Sequence, residues 1–367
     1  LPEKEAKIEE FFKEEDYPSF DSIDALEGGN TYPKLKSGLN ASSSAEILMA
    51  MLMPSETQLD FLTSDKTWSK ELKAFSKNVL GVTLQKQKFE SVSEELWNLV
   101  LYSEFVHDLP VDLPKQLKDV PVALSSTSQL IQDVCSQLRK RKDVEEIYVK
   151  QANRVSDGLS LPKLFSKETN LGSINTFAFE DTTFFNAFKD KLISGELSAA
   201  ESILNQSIDS IWSTYDDERR SSWLIGRKAL AIKRLIEKLN AASKKHTDIN
   251  SIVEWYANEV YELDTLHREL DKNLAELISI SPLLKEVHKF AVDAYLAFTE
   301  SIQKSFLESV EKEGLSSLSI QRNIELFDKR VEPIVKSGKK TVYFLADALR
   351  YELARQLKLR LERASFD

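Results

Sequence analysis

The 367-residue sequence predicts a mainly α-helical protein. It predicts helical domains, one of them a long antiparallel helical bundle, ending in the first β-α unit of an incomplete α/β domain. Three observations support this fold class. Glycine and proline occur only 10 times each, which leaves few positions for tight turns. Apolar residues recur at helical spacing over long stretches, and a short apolar run at 341–346 then breaks that pattern.

The first part of the chain, residues 1–165, is predicted to form one helical domain. Three prolines between Asp108 and Pro121 exclude a helix there and predict an extended connector. The predicted helices are 1–16, a helix through Ile47 and Leu52 capped from Ser42–Ser44, two helices between Asp65 and Phe105 that separate near Gly81, and Ser128–Arg141.

Residues 166–183 lose the helical period and gain turn-forming residues, which predicts a linker before a second domain at 184–338. Three long antiparallel helices are predicted in that helical bundle domain. Their apolar stripes run through Trp223–Leu239, Val260–Leu277 and Leu284–Phe306, and Gly314 suits the position that ends the third helix.

The run Thr341–Ala346 is rich in strand-forming residues, and a helical pattern through Leu361 follows it. We expect a buried parallel strand that feeds a helix, so that residues 339–367 begin an α/β domain. A lone β-α unit cannot bury its strand, and sequence beyond Asp367 is expected to supply the rest of the sheet. Asp347 closes this strand, where ligands gather in open parallel sheets. Spacing alone leaves two interpretations of Asp347 open, a helix cap or a metal ligand.

Few other residues suggest chemistry. The four histidines are far apart in the sequence and predict no independent metal site, and His267 is expected in a core or seam position. Cys135 is expected to be a small buried side chain. The basic run Arg139–Lys142 is expected to form a solvated helix end, because acidic residues follow it at once. No phosphate-binding glycine loop or nucleophile elbow is present in the sequence. The histidines are His107, His246, His267 and His288.

Charge and cysteine usage limit the setting in which the protein works. The chain has 49 Lys and Arg against 59 Asp and Glu, and the net charge of −10 works against a broad duplex-binding surface. A single cysteine cannot form an internal disulfide, and the sequence contains neither a signal-peptide pattern nor an apolar run long enough to cross a bilayer. The sequence therefore predicts a cytoplasmic protein without a membrane partner.

A resemblance to a known family rests on the string Tyr343–Leu353, and above all on its core Asp347–Glu352. This string resembles the first strand and loop of the PglZ family of the bacterial BREX phage-defence system, whose hydrolase domain belongs to the alkaline phosphatase superfamily. Weaker likenesses lie upstream at Tyr32–Leu35 and at Ser103–Pro110, with Trp97 before the latter. The resemblance implies that most of this chain precedes the hydrolase domain.

The resemblance also implies metal-dependent hydrolysis of a phosphoester. In the superfamily, the aspartate that closes the first strand binds one of two divalent metals, usually zinc, and a downstream Ser or Thr attacks phosphorus. Asp347 matches that aspartate, and the nucleophile and the other ligands are expected beyond Asp367. One carboxylate does not hold zinc tightly, so this segment alone is expected to hold no metal and to be inactive. Arg350 and Glu352 belong to the same motif, and a salt bridge within the chain or with a partner protein is expected for them.

Two hypotheses of different classes follow. In the first, the chain is the helical front portion of a metal-dependent phosphohydrolase or phosphodiesterase, with nucleic acid as a candidate partner of the full-length protein. In the second, the helices are a docking scaffold for other BREX proteins, with an exposed apolar or charged face between Asp217 and Gly314. A helical module unrelated to PglZ is the third alternative. Because the chain starts at Leu1 and stops at Asp367 within a helical pattern, we expect it to be a piece of a longer protein.

Overall fold

The computed structural model describes residues 32–64, 66–321 and 323–364, and the expected helix at 1–16 lies outside them. The described chain is mainly α-helical, as predicted. It divides into two compact units. The first comprises the described residues up to Ala187 together with Asp209–Asp216, and the second comprises Phe188–Ile208 and the described residues from Asp217 onward. The domain limits expected at 165, 183 and 338 stay a prediction.

Most helices are short in the first unit and long in the second. Within the described ranges, no helix is both long and apolar enough to cross a membrane. Short π-helical turns lie at Ser76–Leu80, Tyr256–Val260 and Phe327–Val331. In chain order the α-helices are α1 (Pro33–Leu39), α2 (Ser44–Leu52), α3 (Glu56–Ser64), α4 (Trp68–Phe75), α5 (Phe89–Asp108), α6 (Ser128–Lys140), α7 (Glu145–Gly158), α8 (Leu161–Leu164), α9 (Glu180–Ser194), α10 (Leu197–Ser207), α11 (Ile211–Tyr215), α12 (Asp217–Ser243), α13 (Ile249–Trp255), α14 (Tyr261–Ala275), α15 (Pro282–Glu313), α16 (Glu332–Lys336) and α17 (Tyr351–Arg363).

Helix α5 lies at the centre of the first unit's core. It contains no Gly or Pro, and Pro110 follows its end, where a proline disfavours further helix. Its Trp97, Tyr102 and Phe105 side chains are buried, and it packs against α2, α6 and α7. The ring of Phe105 meets the ring of Phe165 edge-on at a centroid distance of 5.1 Å. The weak sequence likeness at Ser103–Pro110 therefore falls on a core helix.

The segment 166–183, which the sequence predicts as a linker, contributes side chains to the core of the first unit. Leu171 and Phe177 are buried in the core of the first unit. The carboxylate of Asp108, at the end of α5, accepts a hydrogen bond from the backbone N–H of Ser173 at 2.6 Å. Before α9 begins, side chains and not a helix ladder accept from the backbone N–H groups of Gly172, Ser173, Ile174 and Phe177.

A buried ion pair joins α5 to α6. The carboxylate of Glu104 accepts hydrogen bonds from both terminal nitrogens of Arg139, at 2.6 and 2.8 Å. Thr176 donates to the same carboxylate at 2.9 Å, and the hydroxyl of Tyr148 accepts from Arg139 at 2.8 Å. The expectation of a solvated helix end is wrong for Arg139, because its partner Glu104 lies inside the core. Arg141, by contrast, pairs with Asp143 at the surface.

The second unit contains the three long helices that the sequence predicts. They are α12, the continuous run of α13, a π-turn and α14, and α15. Helix α12 packs against both α14 and α15. Asp248 begins α13 with a capping box, and Gly314 ends α15 with a positive φ of 76°, as expected for a helix-terminating glycine.

The expected strand at 341–346 is not formed, and the described part of the chain contains no β-strand. Phe344 and Leu345 are each 85% exposed. A strand pairs its backbone N–H and C=O groups with a neighbouring strand, and the described residues supply no such neighbour. The β half of the expected β-α unit is therefore missing, whereas its helix is present as α17.

The buried pair gives the first prediction. Arg139→Met is expected to lower the free energy of unfolding by roughly 3–5 kcal/mol, because Glu104 stays buried without its cation. Arg141→Met removes the exposed pair with Asp143 and is expected to leave stability within error of the wild type. Urea unfolding followed by circular dichroism measures both. Equal losses in the two variants would contradict the structural role of the Glu104–Arg139 pair.

Candidate functional site

Asp347 lies in an exposed turn between the extended run 341–346 and α17. The next residue, Ala348, has a φ of 54°, in the left-handed region that side chains other than glycine rarely adopt. Helix α17 begins with Arg350 at its N-cap, and no side chain caps it. Of the two interpretations left open by the sequence, the structure therefore gives no support to a helix cap at Asp347.

The residues that follow this turn anchor α17 to the second unit. The Glu352 side chain is only 1% exposed, and its carboxylate lies 2.8 Å from Nε of Arg350 and 3.9 Å from Nε of Arg268 on α14. Arg268 also donates to the side chain of Gln356 at 2.7 Å. Of the two kinds of salt bridge expected from the sequence, within the chain or with a partner, the structure forms the one within the chain.

Tyr351 forms a second anchor beside Glu352. Its hydroxyl donates to the backbone carbonyl of Ala257 at 3.0 Å, and this carbonyl belongs to the π-turn that joins α13 to α14. The ring of Tyr351 also contacts the rings of Tyr256 and Tyr261, at centroid distances of 5.9 and 5.7 Å. The motif residues next to Asp347 are thus held by α14 and the turn before it.

The buried carboxylate of Asp264 on α14 connects α15 to the π-turn that holds Tyr351. Asp264 accepts hydrogen bonds from the hydroxyls of Tyr256 at 2.6 Å and Tyr295 at 2.8 Å. Burial and the hydrogen bond to Asp264 raise the pKa of Tyr295 to about 12, and the same causes raise the pKa of Tyr256. Both phenols are therefore neutral donors near neutral pH, and they fix α15 and the π-turn on one side chain of α14.

Two of the four histidines come together, which the sequence interpretation missed. His288 lies 2.9 Å from one carboxylate oxygen of Asp271, and His267 lies 3.8 Å from the other. His267 also stacks on the ring of Tyr295 at 3.9 Å, and burial lowers the pKa of its imidazole. This is the seam position expected for His267. The sequence separation of the two histidines hid the contact because α14 and α15 bring them together.

The side chains present do not form a zinc site by themselves. In the parts of the chain that the structure describes, no group of three or more His, Cys, Asp or Glu side chains is arranged to hold a metal ion. Asp347 is exposed in its turn. Because zinc needs three or four protein ligands, a metal at Asp347 would require ligands from outside the described residues.

Cys135 and Glu180 are two further titratable groups buried in the first unit. Cys135 is fully buried, as expected, and burial raises the pKa of its thiol well above the usual value, which makes it a poor nucleophile. Glu180 is also fully buried, and burial raises the pKa of its carboxyl. Its one hydrogen-bonded oxygen accepts from the backbone N–H of Phe177 at 2.6 Å. With neither side chain accessible to a substrate, both act as parts of the core.

Glu180 gives a prediction on pH dependence. Its pKa is raised in the folded state above the ordinary value of 4.5, so its contribution to stability is fully present below that pH and is lost as the pH rises towards the folded-state pKa. Glu180→Gln removes this loss. The stability gained by the variant is expected to be near zero at about pH 4 and to grow towards pH 7. Urea unfolding over this range measures it, and a difference independent of pH would contradict the assignment.

The anchoring of α17 gives a further prediction. Glu352→Ala removes the carboxylate that pairs with Arg350 and Arg268, and it is expected to raise amide hydrogen exchange in α17 by about tenfold or more. Glu362→Ala is the matched control, because its pair with Lys358 on the same helix is exposed. Mass spectrometry measures amide hydrogen exchange in both variants, separately for α17 and for α12, which contains neither substitution. The same exchange in α17 in both variants would show that Glu352 is not the anchor.

No family model, no curated protein and no solved structure matches this chain. The likeness of Asp347–Glu352 to the PglZ family therefore stays a prediction from the sequence. The contacts of Arg350, Tyr351 and Glu352 stand independently of that likeness, because they follow from the coordinates of this chain alone.

Proposed function

We propose that this chain is the N-terminal and central helical portion of a PglZ-like BREX phage-defence protein, with a hydrolase domain that begins near residue 339. One observation carries the proposal. An extended apolar run leads into an exposed turn with Asp347, and then into a helix anchored by Arg350, Tyr351 and Glu352. This is the order of elements around a ligand site at the carboxyl end of a sheet strand.

The exposed apolar run supports an unfinished α/β domain. Val342, Phe344 and Leu345 are 75%, 85% and 85% exposed. Large apolar side chains in a continuous exposed run favour burial against another surface. We propose that residues 341–346 become the first strand of an alkaline-phosphatase-like sheet in the full-length protein, completed by sequence beyond Asp367.

Pairs of contacts support an antiparallel arrangement of the three long helices. Lys228 on α12 pairs with Glu269 on α14, and ten residues later Lys238 pairs with Glu259, which precedes α14. The same opposite direction relates α14 to α15, where Asp271 pairs with His288, and Asp264 with Tyr295 further along. We therefore propose that these helices form an antiparallel bundle whose role is to hold the start of the hydrolase domain.

The activity proposed for the full-length protein is metal-dependent hydrolysis of a phosphoester. Asp347 would be one ligand of a divalent metal, zinc being the first choice, together with ligands outside the described residues. The setting would be cytoplasmic, with other BREX proteins and nucleic acid as partners. A carboxylate that is exposed in a turn is available for such a role, and this chain alone would be inactive.

A docking scaffold without catalysis is the second candidate. Leu296 and Leu307 on α15 are 53% and 58% exposed, and their spacing of about three helical turns places them on one side of the helix. This side of α15 offers apolar side chains to another BREX protein. The two proposals differ in where function resides, in the Asp347 turn or on the helix surface.

The hydrolase proposal is tested with the full-length protein, Asp347→Ala, and this chain alone. Phosphodiesterase activity with added zinc or manganese is expected in the full-length protein, roughly 100-fold lower in Asp347→Ala, and absent from the chain alone. Asp328→Ala is the control, because Asp328 is an exposed aspartate outside the motif. Activity unchanged by Asp347→Ala would remove the metal-ligand assignment. Absence of activity from every sample would favour the scaffold.

A further inference from the structure

Residues 66–88 have the opposite charge from the chain as a whole. Lysines occupy positions 66, 70, 73, 77, 86 and 88. Glu71 is the sole acidic residue of this stretch, in a protein with a net charge of −10. The Glu71 carboxylate accepts a hydrogen bond from the backbone N–H of Leu35 at 2.9 Å, so it has a partner other than these lysines.

The structure places four of these lysines around one cavity of about 660 Å³ in the first unit. One wall is α4 with the residues just before it, and the other is the segment that leads into α5. Glu90 is the carboxylate that lines it. The cavity lysines, called the lysine groove below, are Lys66, Lys70, Lys73 and Lys88.

The floor of the lysine groove is apolar and fixed. Trp68 and Phe89 are 2% and 9% exposed, and their rings meet edge-on at a centroid distance of 6.5 Å. The indole nitrogen of Trp68 donates to the backbone carbonyl of Leu62 at 3.0 Å. Because both rings are buried, neither can stack on a base or insert into a bilayer. Recognition in the groove therefore depends on the ammonium groups of its walls.

We propose that the lysine groove binds the sugar–phosphate backbone of single-stranded nucleic acid. Ammonium groups act as point charges for phosphate, and a concave basic groove is the part of single-strand binding sites that follows the backbone, the other part being aromatic stacking on the bases. A net charge of −10 opposes the wide contact that a duplex requires, whereas a groove contacts only a few phosphates. Without an accessible aromatic ring, binding is independent of sequence. The proposal does not rest on the hydrolase or on Asp347.

The test is fluorescence anisotropy of a labelled single-stranded oligonucleotide of mixed sequence, titrated with the protein in EDTA over a range of salt. If four phosphates are neutralised, the logarithm of the binding constant falls against the logarithm of salt with a slope of about −3. Lys70→Gln/Lys88→Gln removes one charge from each wall. It is expected to weaken binding about tenfold at low salt and to reduce the magnitude of the slope by about 1.4.

Lys115→Gln/Lys118→Gln is the matched control, because both lysines are exposed in the same unit and the change in net charge is equal. It is expected to keep the wild-type slope. Equal weakening in both double variants would overturn the proposal, because net charge and not the groove would then set affinity. Tighter binding to a duplex of the same length, or to phosphatidylserine vesicles, would also overturn it. EDTA removes metal, so binding in this assay does not depend on a metal at Asp347. Failure of the lysine-groove proposal can therefore be told apart from failure of the hydrolase proposal, which the activity of Asp347→Ala tests.

Discussion

The buried carboxylate of Glu352 is the interaction on which the rest of the candidate site depends. A carboxylate that is 1% exposed needs a cationic partner, because an unpaired buried charge is destabilising by several kcal/mol. Glu352 has one partner, Arg350, in its own motif and a second, Arg268, on α14. The contact with Arg268 therefore links the first turn of α17 to α14 within the second unit. Tyr351 fixes the same turn through the carbonyl of Ala257, and Asp347 lies in the exposed turn just before this anchored helix.

The long helices were predictable because a repeat of apolar residues at helical spacing, which is a local property of the sequence, is enough to define a helix. The stripes through Trp223–Leu239 and Leu284–Phe306 contain apolar groups at steps of three and four, and the structure forms α12 and α15 over these residues. Whether residues 341–346 form a strand was not predictable from such a local pattern. An apolar run indicates a strand only if another strand pairs with it, and pairing is a property of distant residues. The segment 166–183 was also not predictable from a repeat. Hydrogen bonds to side chains such as Asp108 hold it in the core, although its apolar residues show no helical spacing.

The candidate site was predictable only in part, for a related reason. The salt bridge of Arg350 with Glu352 joins residues two apart in the sequence, so a salt bridge within the chain could be expected there. The contacts of Arg268 with Glu352, and of His288 with Asp271, join residues that are distant in sequence, so spacing gives no sign of them. The lysines of the groove differ from these contacts, because a count of charges over 66–88 reveals their excess without the structure. The net charge of the whole chain conceals it, since an excess of acidic residues elsewhere outweighs these lysines. A count of charges does not show which side chains face solvent. Arg139 belongs to a basic run, yet its side chain points into the core and pairs with Glu104.

The central proposal is that the helices hold Asp347 at a position where a metal would bind in a complete hydrolase domain. The most direct measurement is the zinc content per chain of the full-length protein, determined by mass spectrometry of the metal after purification and dialysis. The account predicts bound zinc in the wild type and in Asp328→Ala, and loss of zinc from Asp347→Ala in a protein that remains folded. The same zinc content in Asp347→Ala as in the wild type would contradict it.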